Sequence, residues 1–312
     1  MSTDQPLKGV VFAFAAFAAF AWSDASVKMI EGELDTYEMA FFGALFGLVG
    51  LPFLYRSGDR LVDIVKTTNR PLWLLRAIAA ALGTITSVTA FTRLSMAEAF
   101  ALIFLLPSFV TIMSVIFLKE RVGLRRWSAV AIGFAGVLVI LRPGFRELSI
   151  GHLAAIVAGL CGAISIIIYR AIGPTEKRIS LYGAGIVGAL VVCGTLMIPQ
   201  FEMPTGPQWF MLSGFGLFAA LATILLIHAT NHAPAALVGP TQYSQMLWAV
   251  LIGYLVFGDR MDMPMLAGIA LIIGSGLMTL ARERIRGVAL PPAVAADAPA
   301  NALATVDIAQ SD

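Results

Sequence analysis

The chain has 312 residues, 59% of them hydrophobic and only 13% charged, with a mean hydropathy of +0.86. So few charges cannot make a water-facing surface, which excludes a soluble domain and leaves an integral membrane protein. The formal net charge of +2 conceals a strong asymmetry in where the charges lie.

A bilayer core of ~30 Å needs about 20 apolar residues of helix. Ten runs meet this need, several of them short: 9–30, 36–55, 71–91, 95–118, 124–141, 152–169, 180–199, 208–230, 235–257 and 264–281. Backbone polar groups in lipid must be satisfied within the segment, and the runs lack β-type alternation, so they read as helices rather than barrel strands. Proline punctuates them accordingly, with Pro71 and Pro264 at helix starts and Pro199 and Pro204 at a helix end. A cleaved signal peptide competes for the first run, but 9–30 is long enough to span and has only Lys8 close ahead of it, so it is read as a helix. The tail 287–312 is rich in Ala and Pro and poor in aromatics, and is expected to be disordered.

Charge sets the orientation. With the N-terminus inside, the cytoplasm receives Lys8, Arg56, Arg60, Lys66, Arg70, Lys119, Arg121, Arg125, Arg126, Arg170, Lys177, Arg178, Arg282, Arg284 and Arg286, fifteen in all. The other side receives five: Lys28, Arg93, Arg142, Arg146 and Arg260. Arg76 lies one turn inside its helix, where it can snorkel inward. The positive-inside rule therefore places both termini in the cytoplasm.

The stretch Leu94 to Leu141 is an apolar run, a basic break (KERVGLRR) and a second apolar run rich in small residues. The layout returns at Ala233 to Leu280, and an offset of 139 places Glu120 on Asp259 and Arg121 on Arg260. Letter identity between the two windows is confined to Ala97, Arg121, Ala131, Leu138 and Leu141, so the repeat rests on pattern. Five helices per half is an odd number, so the second half must enter the membrane upside down. That inversion explains why KERVGLRR is basic while its counterpart GDRMDMP is not. The expected fold is all-α integral membrane, ten transmembrane helices as two inverted five-helix repeats, 9–141 and 152–281, a construction used by transporters.

These features resemble the drug/metabolite transporter superfamily, EamA type. In the first half the likeness is carried by Pro107, Leu118-Lys119-Glu120-Arg121, Trp127 and Leu141-Arg142-Pro143-Gly144. In the second it is carried by Pro240-Thr241-Gln242-Tyr243-Ser244-Gln245 and by Phe257-Gly258-Asp259-Arg260, with Asp where Glu is usual. The resemblance implies a ten-helix carrier of the bacterial inner membrane, often an exporter of amino acids or related metabolites, with some members importing vitamins or nucleotide-derived compounds. The small four-helix members couple to protons through a Glu in the first helix. Here that helix has no Glu, so their mechanism does not carry over.

Ionisable residues inside a membrane are functional candidates, and each here also has a structural reading. Glu98 follows Ser95 in the S-x-x-E pattern of a capping box, and stands also as a proton-coupling candidate. Glu38 reads as a first-turn acid favoured by the helix dipole. Asp24 and Lys28 are i and i+4, an intrahelical pair, with coupling through Asp24 the alternative. His228 and His232 have metal-compatible spacing, but with three histidines in the chain and no neighbouring carboxylate they do not define a site. Cys161 and Cys193 read as small core residues. No nucleophile elbow, HExxH or phosphate loop is present, so an enzyme is not expected, and no cofactor or metal is implied.

The uncharged lining is more informative. Phe100, Phe104, Pro107, Thr111 and Ser114 share one stripe of the fourth helix, readable as a cavity wall or as helix packing. Ala15, Ala19, Trp22 and Ser26 form a similar stripe on the first. On the ninth, repeat symmetry selects Tyr243 with Gly239, Met246 and Val250, whereas polarity selects the opposite face of Thr241, Ser244, Gln245 and Trp248. Both faces are expected to be buried in protein, because lipid exposure of Gln245 is costly. The candidate substrate-binding residues are Trp22, Ser26, Phe100, Phe104, Thr111, Tyr243, Gln245 and Trp248, with Asp24 and Glu98 for protons. The spacings Gly43-x-x-x-Gly47 and Gly159-x-x-x-Ala163 read as packing within one chain. The expected partners are a small-molecule substrate and the lipid bilayer, without nucleic acid, for a monomer or weak homodimer. The expected function is secondary transport by alternating access, with amino-acid-type export favoured and vitamin or nucleotide-derived import the alternative. A membrane-embedded enzyme or sensor is the reading from another class.

Overall fold

The computed structural model describes residues 6–30, 32–55, 58–120, 122–142, 147–172, 175–233, 238 and 241–285. Among them the secondary structure is entirely helical. The helices are α1 (Pro6–Lys28), α2 (Thr36–Gly47), α3 (Arg70–Arg93), α4 (Met96–Ile103), α5 (Leu106–Phe117), α6 (Leu124–Leu141), α7 (Ile150–Ile172), α8 (Arg178–Met197), α9 (Gly206–His232), α10 (Ser244–Phe257) and α11 (Met263–Ile285). Seven helical stretches are long and apolar enough to cross a bilayer, and three shorter apolar helices (Trp127–Leu141, Ser244–Phe257 and Met263–Ser275) bring the passes among the described residues to ten. The tail 287–312, Arg121, Pro143, Gly144, Gly239 and Pro240 lie outside the described residues.

Local chemistry explains the helix ends. Asp35 accepts the Tyr37 N–H at 2.7 Å ahead of α2, and Asn69 accepts the Leu72 N–H at 3.3 Å ahead of α3, where Pro71 fills a position whose N–H has no helical partner. The 36–55 run is not one α-helix. It tightens after Gly47 into a 3₁₀ segment, Leu48–Leu54, that contains Pro52, whose missing N–H removes one rung of the α ladder. A further 3₁₀ turn, Leu61–Ile64, lies in the following loop.

Helix pairing repeats across the two halves. α1 packs along α9 and α7 along α3; α2 meets α9 as α8 meets α3; α1 touches α10 as α7 touches α4 and α5. Under the offset of 139, each of these pairs is the image of the other. Three further pairs, α2 with α8, α4 with α10 and α6 with α11, join a helix to its own counterpart, as elements beside a two-fold axis do. The α6–α11 crossing depends on glycine: a Cβ on Gly136 would stand 2.8 Å from the Gly268 carbonyl oxygen, and one on Gly268 2.7 Å from that of Gly136.

The small-residue spacings are spent inside the chain. Gly43 and Gly47 lie against Phe215 and Gly216 of α9, and Gly159 lies against the Ile103 carbonyl. Cys161 and Cys193 are buried free thiols. At the Lys8 end, the two halves are tied by Lys177, 2.5 Å from Asp63 and 3.4 Å from Asp59, and by Arg170 in the last turn of α7, 2.5 Å from Glu120. At the Lys28 end, Arg142 and Asp262 pair at 2.5 Å.

Candidate functional site

The fourth apolar run, continuous in sequence, is broken at Phe104 and Leu105 into α4 and α5. Pro107 supplies the cause, since it has no N–H for the Ile103 carbonyl and its ring crowds that oxygen. α7 covers the spot with Gly159, where a Cβ would lie 2.8 Å from Ile103 O. A second interruption falls at Gln242 and Tyr243, directly before α10. Subtracting the offset of 139 maps it onto residues 103–104, so the two breaks occupy corresponding places in the two halves. They also meet. The rings of Phe104 and Tyr243 lie 5.8 Å apart, and Phe100 continues the row at 6.3 Å from Phe104 and 4.9 Å from Phe91.

Below the row, Phe104, Pro107, Ser108 and Thr111 line a narrow recess completed by Ala129 and Val130 of α6 and Ser275 of α11. The Thr111 hydroxyl donates to the Pro107 carbonyl at 3.0 Å and that of Ser114 to the Thr111 carbonyl at 3.0 Å, so both are satisfied by their own helix. Both disputed faces of α10 are buried: Tyr243 and Met246 on one, Thr241, Ser244 and Gln245 on the other, with Trp248 half-buried. Leu247, Leu251, Tyr254 and Leu255 form the exposed face. The buried polar face is under-bonded. Gln245 donates a long hydrogen bond of 3.5 Å to Asp24 of α1, while its Oε1, the Ser244 hydroxyl and the Trp248 indole N–H have no hydrogen-bond partner among the described residues. Buried polar atoms in that condition are what an incoming polar ligand can satisfy.

Other candidates fall elsewhere. Trp22 is 39% exposed on the outside of α1, and Ser26 donates to the Trp22 carbonyl at 2.9 Å while wedged against Gly214 of α9. Neither shares a face with the aromatic row. Lys28 is buried, donating to the Leu94 carbonyl at 2.7 Å with its ammonium 5.3 Å from the Phe257 ring centre. Glu98 is 2% exposed. Ser95 caps its N–H at 3.3 Å, as the S-x-x-E pattern predicts, and Glu98 Oε1 lies 3.1 Å from His152 Nε2 on α7. Sequence spacing gave no sign of His152, which meets Glu98 across 54 residues. His228 and His232 both lie against the Phe12 ring, and no group of three metal-ligating side chains occurs among the described residues. Arg76 does not snorkel: it is fully buried, donating to the Leu181 carbonyl at 2.5 Å with its guanidinium 4.2 Å from the Tyr169 ring centre.

An apolar bundle of ten passes, built from two related sets and meeting at a pair of broken helices, defines a membrane transporter, in which substrate sites form where discontinuous helices meet. The profile of the EamA-like transporter family matches residues 7–142 and 149–281, and the chain belongs to that family. The chain is 24% identical to the S-adenosylmethionine uptake transporter of Rickettsia felis over 89% of this chain and 94% of that one. It is 30% identical to the riboflavin transporter of Rhizobium johnstonii, over 77% and 78%. It is 24% identical to the pseudopaline exporter CntI of Pseudomonas aeruginosa, over 88% and 96%. A solved crystal structure shares the fold with a TM-score of 0.61 at 16% identity, covering 89% of this chain and 97% of its own. The protein is a multi-pass small-molecule transporter of the drug/metabolite transporter superfamily and not an enzyme.

Proposed function

We propose that the protein carries an amphiphilic organic metabolite bearing a flat ring, bound where the two broken helices meet and exposed alternately to either side of the membrane. The contact between Phe104 and Tyr243 carries this reading: a residue and its repeat counterpart meet with ring centres 5.8 Å apart and planes tilted by 50°, next to buried polar atoms on α10 that lack partners among the described residues. Aromatic walls hold a flat ring by offset stacking, and amide, hydroxyl and indole groups supply directional bonds. Names of the relatives agree in kind, because S-adenosylmethionine and riboflavin both combine a heteroaromatic ring with polar groups.

Amino-acid-type export is the second reading. Gln245, Ser244 and Trp248 suit the ammonium and carboxylate of a zwitterion, with Asp24 close to Gln245. Relatives of this layout include both uptake and export proteins, so both loading directions belong in the assay. In this reading residues 9–141 and 152–281 act as the two moving units of a monomer or weak homodimer. Both termini face the cytoplasm of a bacterial inner membrane, because fifteen of the Lys and Arg residues then lie inside.

The test is counterflow in proteoliposomes with S-adenosylmethionine, riboflavin, pseudopaline and a panel of amino acids. Exchange of a ring-bearing compound, weakened at least tenfold by Phe104→Ala or Tyr243→Ala, supports the reading (about 1.4 kcal/mol). Exchange confined to aliphatic amino acids would transfer it to amino-acid transport.

A further inference from the structure

Glu38 stands in the first turn of α2, where the helix dipole favours an acid, yet the capping there is done by Asp35, which accepts the Tyr37 N–H at 2.7 Å. Glu38 turns inward instead. It is fully buried, and neither of its carboxylate oxygens has a hydrogen-bond partner among the described residues. The Glu202 backbone N–H comes near it without hydrogen-bond geometry, and the charges that act on it, those of Asp35 and Glu202, are both negative. A carboxylate held away from water without donors or a counter-charge is costly, so a proton or a cation must complete this place.

The surroundings favour a cation. The segment 31–38 reads EGELDTYE, four acids and no base, and residues 29–55 and 179–259 contain no Lys or Arg. Of the helices packed on α2, which are α3, α8 and α9, the base brought to this end is Arg93 of α3, and it is exposed beside Gly151 of α7. Acids therefore run inward from exposed Glu33 and Glu202, past half-buried Asp35, to buried Glu38. One sign of charge narrowing into an apolar wall concentrates ions of the other sign. Glu33 also reaches the second half, accepting from Gln208 Nε2 of α9 at 3.1 Å.

One turn deeper on the same face of α2, Phe42 meets the Trp209 indole of α9 with ring centres 4.8 Å apart, and Phe46 follows at 6.3 Å. Aromatic faces attract cations whose charge is carried on alkylated groups, and a neighbouring carboxylate adds the counter-charge. A divalent metal is poorly served, since no group of three metal-ligating side chains occurs among the described residues. Phe42 and Trp209 belong to the same continuous apolar cluster as Phe104 and Tyr243, which links this end to the junction of the broken helices.

We propose that Glu38, between α2 of one half and α9 of the other, is a capture site at the Lys28 end for an organic cation, an ammonium or sulfonium group carried on a small metabolite. This rests on the transporter reading above and narrows its substrate class to positively charged compounds. Because the flanking helices belong to different halves, their separation at this end uncovers the carboxylate, and the cation passes from it to the rings of Trp209 and Phe42.

The experiment is thermal unfolding of the full chain in detergent, with benzyltrimethylammonium chloride as the probe and sodium chloride at equal ionic strength as the control. A ligand that binds only the folded state raises the unfolding temperature as its concentration rises. The probe should raise it in the wild type and sodium should not, and Glu38→Gln should need about tenfold more probe for the same rise. Trp209→Leu, which keeps the carboxylate, should weaken the rise as well. An equal rise with sodium would make this a site for inorganic monovalent ions and overturn the proposal. A rise that Glu38→Gln leaves unchanged overturns it too, as does no rise with the probe, which would leave Glu38 a protonated core residue. Should Glu38→Gln fold poorly, the wild-type carboxylate can be tested with Thr36→Cys in a Cys161→Ala, Cys193→Ala background: slower reaction with a neutral maleimide in the presence of the probe supports the site, and an unchanged rate overturns it. None of these measurements needs transport. An empty counterflow panel therefore counts against the carrier, whereas active counterflow without probe binding counts against the cation site alone.

Discussion

Phe104 and Tyr243 show most directly how residue choice becomes a site. Each is an aromatic side chain at the point where its helix is interrupted, and the two rings touch. Gly159 matters for a different reason: it is small where α7 must cover the buried Ile103 carbonyl, for which Pro107 has no N–H. Gly159→Val is expected to force α7 away from Ile103 and lower stability by about 1–3 kcal/mol, the usual penalty of overpacking, measured as a lower unfolding temperature in detergent. His152→Ala removes the imidazole that lies 3.1 Å from the buried Glu98 carboxyl and should cost about 1–3 kcal/mol, read as a lower unfolding temperature. Glu98 was recognisable in the sequence because it stands in an otherwise apolar run, and its cap by Ser95 followed from spacing alone. His152 was not recognisable, since its partner lies on another helix and no local pattern links the two.

At the scale of elements, sequence located the apolar runs but not their breaks. Residues 95–118 read as one helix, and Pro107 was visible in it, yet proline inside a membrane helix kinks in some contexts and is absorbed in others. What decides here is that α7 and α10 pack against the break and accept its geometry. Pro107→Ala restores an N–H for the Ile103 carbonyl and favours a straight helix, so transport should fall while the unfolding temperature does not. A fall in both would mean that the break serves folding rather than the site. The same limit applies to the 36–55 run, where the length was legible and the change to 3₁₀ after Gly47 was not.

Loops between elements carry a separate, pH-dependent tie. The Lys177 ammonium, with the Arg60 backbone N–H, holds the Asp63 carboxyl below its ordinary value, and Asp63 in turn raises Lys177. A carboxyl whose folded-state value is depressed adds stability above its unfolded value, and loses it as pH falls through the folded one. The unfolding temperature of the wild type should therefore fall on acidification below the ordinary carboxylate range more steeply than that of Asp63→Asn. Parallel curves would show that this tie adds nothing to stability.

For the whole molecule, the inverted arrangement was legible from two facts, a recurring layout at an offset of 139 and the swap of a basic break for a near-neutral one. The helix pairing carries the same relation through space, with α1–α9 answering α7–α3 and three pairs joining a helix to its own counterpart. The stripe of Trp22 and Ser26 shows where pattern alone fell short. Periodicity tells which residues share a face, whereas the neighbour of that face is fixed by packing, and here it is the outside of the bundle for Trp22 and α9 for Ser26. Alternating access requires that the junction of the two halves be reachable from each side in turn, whereas an enzyme or sensor on this scaffold could keep it sealed. The direct measurement is the reactivity of Phe104→Cys, in the Cys161→Ala, Cys193→Ala background, toward an impermeant thiol reagent applied separately to the two faces of oriented vesicles, with and without a transported compound. Reaction from one face at rest, and from the opposite face once substrate is supplied, is the predicted result. A residue 104 that stays protected from both faces under every condition would contradict the account.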